Sequence, residues 1–355
     1  MSDFTIVGSG LYGCTAARML AEAGYDVAVY EKRDYIGGNC ASRMDPDTGI
    51  ELHMHGPHIF HTGNEAVWRF INRFASFNGY QHHVLSMHSG KIYQMPIGLH
   101  LLCKFAGHEM SPEEARLFMS VNSNKERVFD AFISGYTMKQ WGLSVDEIDR
   151  SVIDRIPVRY NYDTNYYSDM LQGIPQKGYQ SMFESILDHP SISLCLGKEW
   201  TIDMHDGRSK VLYSGPIDSL FNYRYGCLPW RSLGFEWEFK NVSDYQGAAQ
   251  INYPDMDVEF TRIHEFKHYH PEWKDVIRLN KTIICREYPK AWSLGDEPYY
   301  PVDNSDSRKL FLKYVDLASS FPWLKIGGRL GSFRYMDMDD VIAQAIEHVK
   351  EFADE

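Results

Sequence analysis

Short apolar runs closed by glycine or charge alternate with helical periodicity along most of the chain. Phe4 to Val7 reads as a strand, Leu11 to Ala23 repeats its apolar positions at helical spacing, and Asp26 to Tyr30 reads as a second strand. His82 to Met87 and Lys91 to Met95 flank Ser89-Gly90 as a hairpin. Ser111-Pro112-Glu113-Glu114 has the form of a capping box with proline at the first helical position. Helical spacing continues through Val128 to Trp141 and Val145 to Arg155, then Gly178 to Leu187, so Met95 to Leu187 is predicted to be a mainly helical insertion. Strand signals return at Ile192 and at Val211 to Ser214, before the turn Gly215-Pro216. Phe235 to Phe239, Ala248 to Tyr253, Phe260 to Phe266 and Thr282 to Glu287 predict an antiparallel sheet. A helix over Ser305 to Ser319, a strand at Leu324 to Ile326 and a helix over Met338 to Phe352 complete the pattern.

Composition narrows the class. At 355 residues with 44% hydrophobic and 24% charged, the chain can bury an ordinary globular core. A net charge of -12 argues against a nucleic-acid partner, and no apolar run has the length of a membrane span. Cys14, Cys40, Cys103, Cys195, Cys227 and Cys285 are scattered without a CxxC pair, and no secretory pattern opens the sequence. A reduced, cytoplasmic protein is expected. The aromatic content of 14% suits planar ligands as well as an aromatic core.

The first strand runs into Gly8-Ser9-Gly10-Leu11-Tyr12-Gly13, which opens the helix, and the second strand ends on Glu31. This is the order of a dinucleotide site: a tight turn, a close backbone approach to the pyrophosphate, free amides at the helix start, and a carboxylate for the ribose. The motif alone does not separate NAD from FAD. Gly37-Gly38, just past the second strand and near Arg33, tilts the choice to FAD. The closing strand and helix complete the same layer. The expected fold is α/β, a Rossmann-like FAD-binding domain (1-80, 190-225 and 323-355) interleaved with two others. These are a helical domain with a mobile substrate loop (95-189) and an antiparallel β-sheet substrate domain (81-94 and 226-322).

Five further strings carry chemistry: His55-Gly56-Pro57-His58-Ile59-Phe60-His61-Thr62, Gly135 to Gly142, Arg155 to Asp163, Thr261-Arg262-Ile263, and Gly328 to Asp339. With the glycine motif they closely resemble the bacterial type of UDP-galactopyranose mutase, over Phe4 to about Val349. The resemblance implies an isomerase that interconverts a nucleotide-linked hexopyranose and hexofuranose, for cell-surface polysaccharide synthesis. It requires reduced FAD without net redox change. By the same resemblance, flavin N5 attacks the anomeric carbon and expels the nucleoside diphosphate. The adduct then opens to an iminium and recloses before the diphosphate returns. A nucleotide-diphosphate sugar, an external reductant such as NAD(P)H and a homodimer partner are implied.

Residue by residue, the resemblance implies flavin contacts from Gly8, Gly10, Leu11, Tyr12, Gly13, Glu31, Lys32, Gly38, Asn39, His58, Ile59, Arg329, Asp337 and Met338. Arg155 and Arg262 match the diphosphate-binding pair, since the guanidinium fork suits phosphate oxygens. Arg159, four residues beyond Arg155, is the alternative. Tyr166, Tyr300 and Tyr335 match tyrosines that donate to the same oxygens. Phe132, Tyr136, Thr137 and Trp141 match the nucleobase patch, although helix spacing alone reads them as core. Asn252 is a further substrate contact. Tyr335, Arg155, Arg262, His58 and His61 are the expected catalytic set. His53, His55, His58 and His61 are close enough to suggest a metal, but spacing alone is a weak motif, and no metal is expected.

The sequence departs from the family in the sugar and nucleotide pocket. Tyr80-Gln81-His82-His83 puts His82 where a substrate-contacting asparagine is usual, a phenylalanine pair becomes Phe132-Ile133, and Pro96-Ile97-Gly98-Leu99-His100 replaces a string with asparagine. The stretch from Ser111 to Gly135 is shortened, which affects the family's dimer contact. The same chemistry on a dTDP-linked 6-deoxy sugar, dTDP-fucopyranose or its 3-acetamido form, is therefore the competing substrate. A flavin amine oxidase and a non-catalytic flavin or nucleotide-sugar binder are the more distant readings.

Overall fold

The structure, a computed structural model, describes residues 2–144 and 158–354. The helix expected over Val145 to Arg155 lies outside the described residues.

Strand Phe4–Val7 is wholly buried and sits at the centre of a five-stranded, all-parallel sheet. The neighbours on one side are Lys210–Tyr213 and Leu324–Ile326, and on the other Val27–Tyr30 and Ile192–Cys195. Apolar runs buried on both faces are what a parallel sheet demands. Helix Leu11–Glu22 lies against one face, its small residues Cys14, Ala16 and Ala17 fully buried. Helix Met338–Asp354 packs beside it, and both share one core with Ile6, Val29 and Ile342.

Two helices sit elsewhere than expected. Gly178–Leu187 forms as predicted, but Tyr179, Met182, Phe183 and Ile186 bury into the first-layer core, not into a helical domain running to 189. Ser305–Ser319, assigned to the sheet domain, covers the other face of the parallel sheet, with Tyr314 and Ala318 beside Val211 and Tyr213. In both, an apolar face at helical spacing was legible, but the surface it would cover was not.

The second sheet has seven strands, in the order Tyr300–Pro301, Trp230–Lys240, Thr282–Ala291, Arg262–Glu265, Gln250–Asn252, Leu85–His88 and Lys91–Gln94. It is not purely antiparallel: Gln250–Asn252 runs parallel to Leu85–His88. The 85–94 hairpin also shares a core with the helices, through Tyr93, Leu101, Leu102 and Phe132. Helical backbone runs from Asn122 to Trp141, with a π-helical turn at Asp130–Ser134. The capping box forms, with Ser111 and Glu114 exchanging hydrogen bonds.

Candidate active site

One cavity of about 650 Å³ opens between the two sheets and runs from the glycine turn to the seven-stranded sheet. That volume suits a cofactor or drug-sized ligand. Gly8, Gly10 and Gly38 line one end, and Arg262, Tyr300 and Tyr335 the other.

The glycine end is shaped for backbone approach. A Cβ on Gly13 would lie 1.9 Å from the Gly8 carbonyl oxygen, and one on Gly38 would lie 2.9 Å from Gly10 Cα. Gly10 is the N-cap of helix Leu11–Glu22, and no side chain caps the first turn. The orphan amides and the positive end of the helix dipole are left for an anion. Glu31 Oε2 accepts from the Ser9 amide at 2.9 Å and its hydroxyl at 2.8 Å, and Oε1 accepts from the Arg33 amide at 3.0 Å. A carboxylate offers about four acceptor positions, so capacity for a ribose hydroxyl remains. The Tyr12 ring turns into the core, where its hydroxyl pairs with His348 Nδ1 at 2.8 Å.

A polar wall continues from this end. Arg33 donates to Glu297 at 2.6 Å and to the Asn39 side chain at 3.0 Å, and Lys32 pairs with Glu297 at 3.3 Å. His55 sits between the Tyr299 hydroxyl at 2.7 Å and the Tyr35 hydroxyl at 2.9 Å. Arg329 lines the cavity and donates to the Tyr299 carbonyl. Ile59, Asp337 and Met338 line it as well.

His58 donates from Nδ1 to the Gly56 carbonyl at 2.8 Å, which leaves Nε2 as an acceptor. Burial, aided by nearby His53 and Arg329, holds its pKa down at about 3, so the ring is neutral at physiological pH. His61 donates from Nδ1 to Asp169 at 2.7 Å, and its ring stacks on Tyr167 at 3.8 Å. Both histidines line the cavity. Of the four histidines close in sequence, His53 accepts from the His58 amide and His55 is taken up by tyrosines, so the four rings do not converge. A three-residue cluster able to hold an ion does lie elsewhere, at Asp244, Glu265 and His268.

At the far end, Arg262 Nε and a terminal nitrogen both lie 2.9 Å from Glu287 Oε1. Burial works against the guanidinium charge, but facing Glu287 outweighs it and holds the pKa well above its ordinary value. Glu287 is buried with His264, whose Nε2 lies 3.4 Å from Oε2. Tyr136, Tyr166 and Tyr300 surround Arg262 closely enough to interact electrostatically. Tyr300 stacks on Tyr335 at 6.1 Å, and Trp141 lies 6.1 Å from Tyr300. Asn252 pairs in register with Arg262 and accepts from Gln250.

Several expected contacts fall outside the lining. Phe132 is 3% exposed and packs against Tyr93, Phe105 and His88, as a core residue. Thr137 is buried on the same helix. His82 is buried beneath the cavity, stacked on Tyr167, with burial holding its pKa near 3. Arg159 is engaged by Asp163 at 3.2 Å and by the 165–166 backbone, away from the cavity. Arg155 lies outside the described residues. Glu287, Asp169, Tyr167, Tyr299 and Glu297 line or brace the cavity and were not anticipated. The one signal was Glu287, an acid closing the apolar run of strand Thr282 to Glu287.

Comparison with known proteins agrees with this geometry. Residues 131–335 match the family model of UDP-galactopyranose mutase, and residues 6–74 match that of an NAD(P)-binding Rossmann-like domain. A probable UDP-galactopyranose mutase from Klebsiella pneumoniae is 40% identical, across 99% of this chain and 94% of its own. A dTDP-fucopyranose mutase from Escherichia coli is 36% identical, across 98% and 97%. The crystal structure of reduced UDP-galactopyranose mutase superposes with a TM-score of 0.73 over 100% of this chain and 97% of that one. At 16% identity that match speaks for the fold alone.

Proposed function

Since the chain belongs to the UDP-galactopyranose mutase family, we propose that it is a flavin-dependent isomerase that interconverts UDP-galactopyranose and UDP-galactofuranose. The observation that carries this reading is the continuity of one cavity, from an uncapped helix start framed by glycines to a half-buried arginine ringed by tyrosines.

FAD fits the first half of that cavity. The cradle at Gly8, Gly10 and Gly38, where a Cβ on Gly38 would lie 2.9 Å from Gly10 Cα, would accept its pyrophosphate, with the amides of Leu11 and Tyr12 as donors. Glu31 would accept from its ribose, and His58, Arg329 and Met338 would border its ring. In reduced form the cofactor supplies a nucleophile at N5. Arg262 binds the sugar diphosphate, and Glu287 fixes the fork so that little side-chain entropy is lost on binding. Tyr300 and Tyr335 donate to the same oxygens, with Arg155 as the family's second diphosphate arginine. Asp169 keeps the Nδ1 proton on His61, which lines the cavity, so that Nε2 is left as an acceptor. The reductant is an external one such as NAD(P)H, in the cytoplasm.

The Escherichia coli relative supports a second substrate, dTDP-fucopyranose, because the likeness to it also spans nearly the whole of both chains. The test is direct. The purified protein releases FAD on denaturation, and, reduced with dithionite, it is offered UDP-galactopyranose and dTDP-fucopyranose in competition. The higher kcat/KM is expected for the uridine sugar. Preference for the thymidine sugar selects the second reading, and a flavin-free protein defeats both.

A further inference from the structure

The Gly135 to Gly142 string contains a cation that the proposed chemistry does not use. Lys139 lies on helix Gly135–Trp141, one turn after Tyr136, which interacts electrostatically with Arg262. Among the described residues its ammonium forms no ion pair with an acid. It donates to the backbone carbonyls of Tyr253, Asp255 at 3.0 Å, Val258 at 2.9 Å and Phe260 at 3.0 Å. An ammonium has three protons, so at least one is shared among four acceptors. This is the coordination a protein gives to a bare alkali cation, here supplied by a side chain. Burial pulls the Lys139 pKa down to about 8 against the pull of Asp255 and Asp257, which leaves it charged at neutral pH.

The four carbonyls belong to the loop joining strand Gln250–Asn252 to strand Arg262–Glu265, and the last lies two residues before Arg262. The same helix face meets the loop one turn earlier, where a Cβ on Gly135 would lie 2.2 Å from the Pro254 carbonyl oxygen. The loop's outer side is tied to the hairpin, because Asp255 accepts from the Ser89 amide at 2.8 Å and pairs with His88.

We propose that Lys139 is a positioning residue, an internal cation that folds loop 253–260 around itself and so holds Arg262 in register with Tyr136 of helix Gly135–Trp141. The inference rests on the nucleotide-diphosphate reading of that cleft. Removing the ammonium leaves inward-facing carbonyl dipoles without their common donor, and the two halves of the nucleotide site lose their fixed spacing. The flavin end, on the other sheet, is untouched.

Calorimetric titration of the flavin-loaded protein with UDP and dTDP tests this. Lys139→Met keeps the apolar stem and removes the charge. It is expected to weaken nucleotide binding at least about tenfold while flavin content and the melting transition persist. In Lys139→Ala, n-propylammonium is expected to restore most of the affinity, whereas tetramethylammonium at the same ionic strength, having no N–H donor, restores none. The proposal is overturned if both variants bind within twofold of the parent, if tetramethylammonium rescues equally, or if both variants lose flavin and cooperative melting together. A parent protein that binds neither nucleotide defeats the reading of the site itself. Parent binding with indifferent variants defeats only the role of Lys139.

Discussion

At the scale of single residues, the glycine turn and the arginine at opposite ends of the cavity make separable demands. Gly13 is required by geometry: the nearest neighbour of an added Cβ is backbone, the Gly8 carbonyl, which cannot yield without opening the turn. Gly13→Val is expected to abolish flavin retention, read as loss of the visible absorption of the purified protein. Arg262 is required by charge. Arg262→Ala is expected to lower turnover by roughly 10²–10³-fold, the size of a lost transition-state charge contact, with flavin content unchanged. Loss of flavin from that variant would count against its diphosphate role. Glu287→Gln keeps the shape of the brace but removes its charge, so it is expected to raise KM for the nucleotide sugar more than it lowers kcat.

At the scale of elements, strand Glu51–His53 is locked by a buried acid. Glu51 accepts from the Tyr179 amide at 2.7 Å and from His270 Nε2 at 2.6 Å. Burial raises its pKa, but the hydrogen bond from His270 and the His53 ring nitrogen 3.6 Å away win and hold it well below the usual carboxylate range. The pair ties helix Gly178–Leu187 to the sheet side of the molecule. Glu51→Ala strands His270 and the Tyr179 amide and is expected to cost about 3 kcal/mol of unfolding free energy, measured by urea titration. Elements were the most legible feature of the sequence. Gly178–Leu187, Ser305–Ser319 and Leu324–Ile326 form at the residues expected, because caps, glycines and spacing are local signals. Their partners were not legible, since a helix with one apolar face does not encode which sheet it covers. The site followed the same division. Gly8, Gly10, Leu11, Tyr12, Glu31 and Arg329 stand out by motif and line the cavity, whereas Glu287 and Asp169 act only through partners more than 20 residues away in sequence. Phe132 shows the converse error, a residue matched to the nucleobase patch that the fold buries in a separate core.

At the scale of the whole molecule, histidine burial sets the acid limit. His58 and His82 are held near 3, and His55, His264 and His348 near 4, all chiefly by burial. A base whose folded pKa is depressed below its unfolded value of about 6.5 takes up its proton mainly on unfolding, so stability falls as pH drops from about 6.5 toward 4. His270 has the opposite sign: burial lowers it, but its bonds to Glu51 and Glu272 raise it, so its contribution is present at low pH and is lost above its folded pKa. His268 is raised in the same way, by Glu265 and Asp244. The depressed histidines outnumber the raised ones among the described residues, so the melting temperature is expected to fall steadily between pH 6.5 and 4. A melting temperature flat across that window would contradict the burial of these rings.

The central claim is that one cavity joins a flavin end to a nucleotide-sugar end, for an isomerisation without net redox change. The most direct measurement follows furanose formation by NMR, on the same flavin-loaded protein in its oxidised and dithionite-reduced states, with UDP-galactopyranose and dTDP-fucopyranose as substrates. A furanose product is expected from the reduced protein alone, with many turnovers for each reduced flavin. No furanose from either sugar in the reduced state, or oxygen consumed in proportion to product, would contradict it.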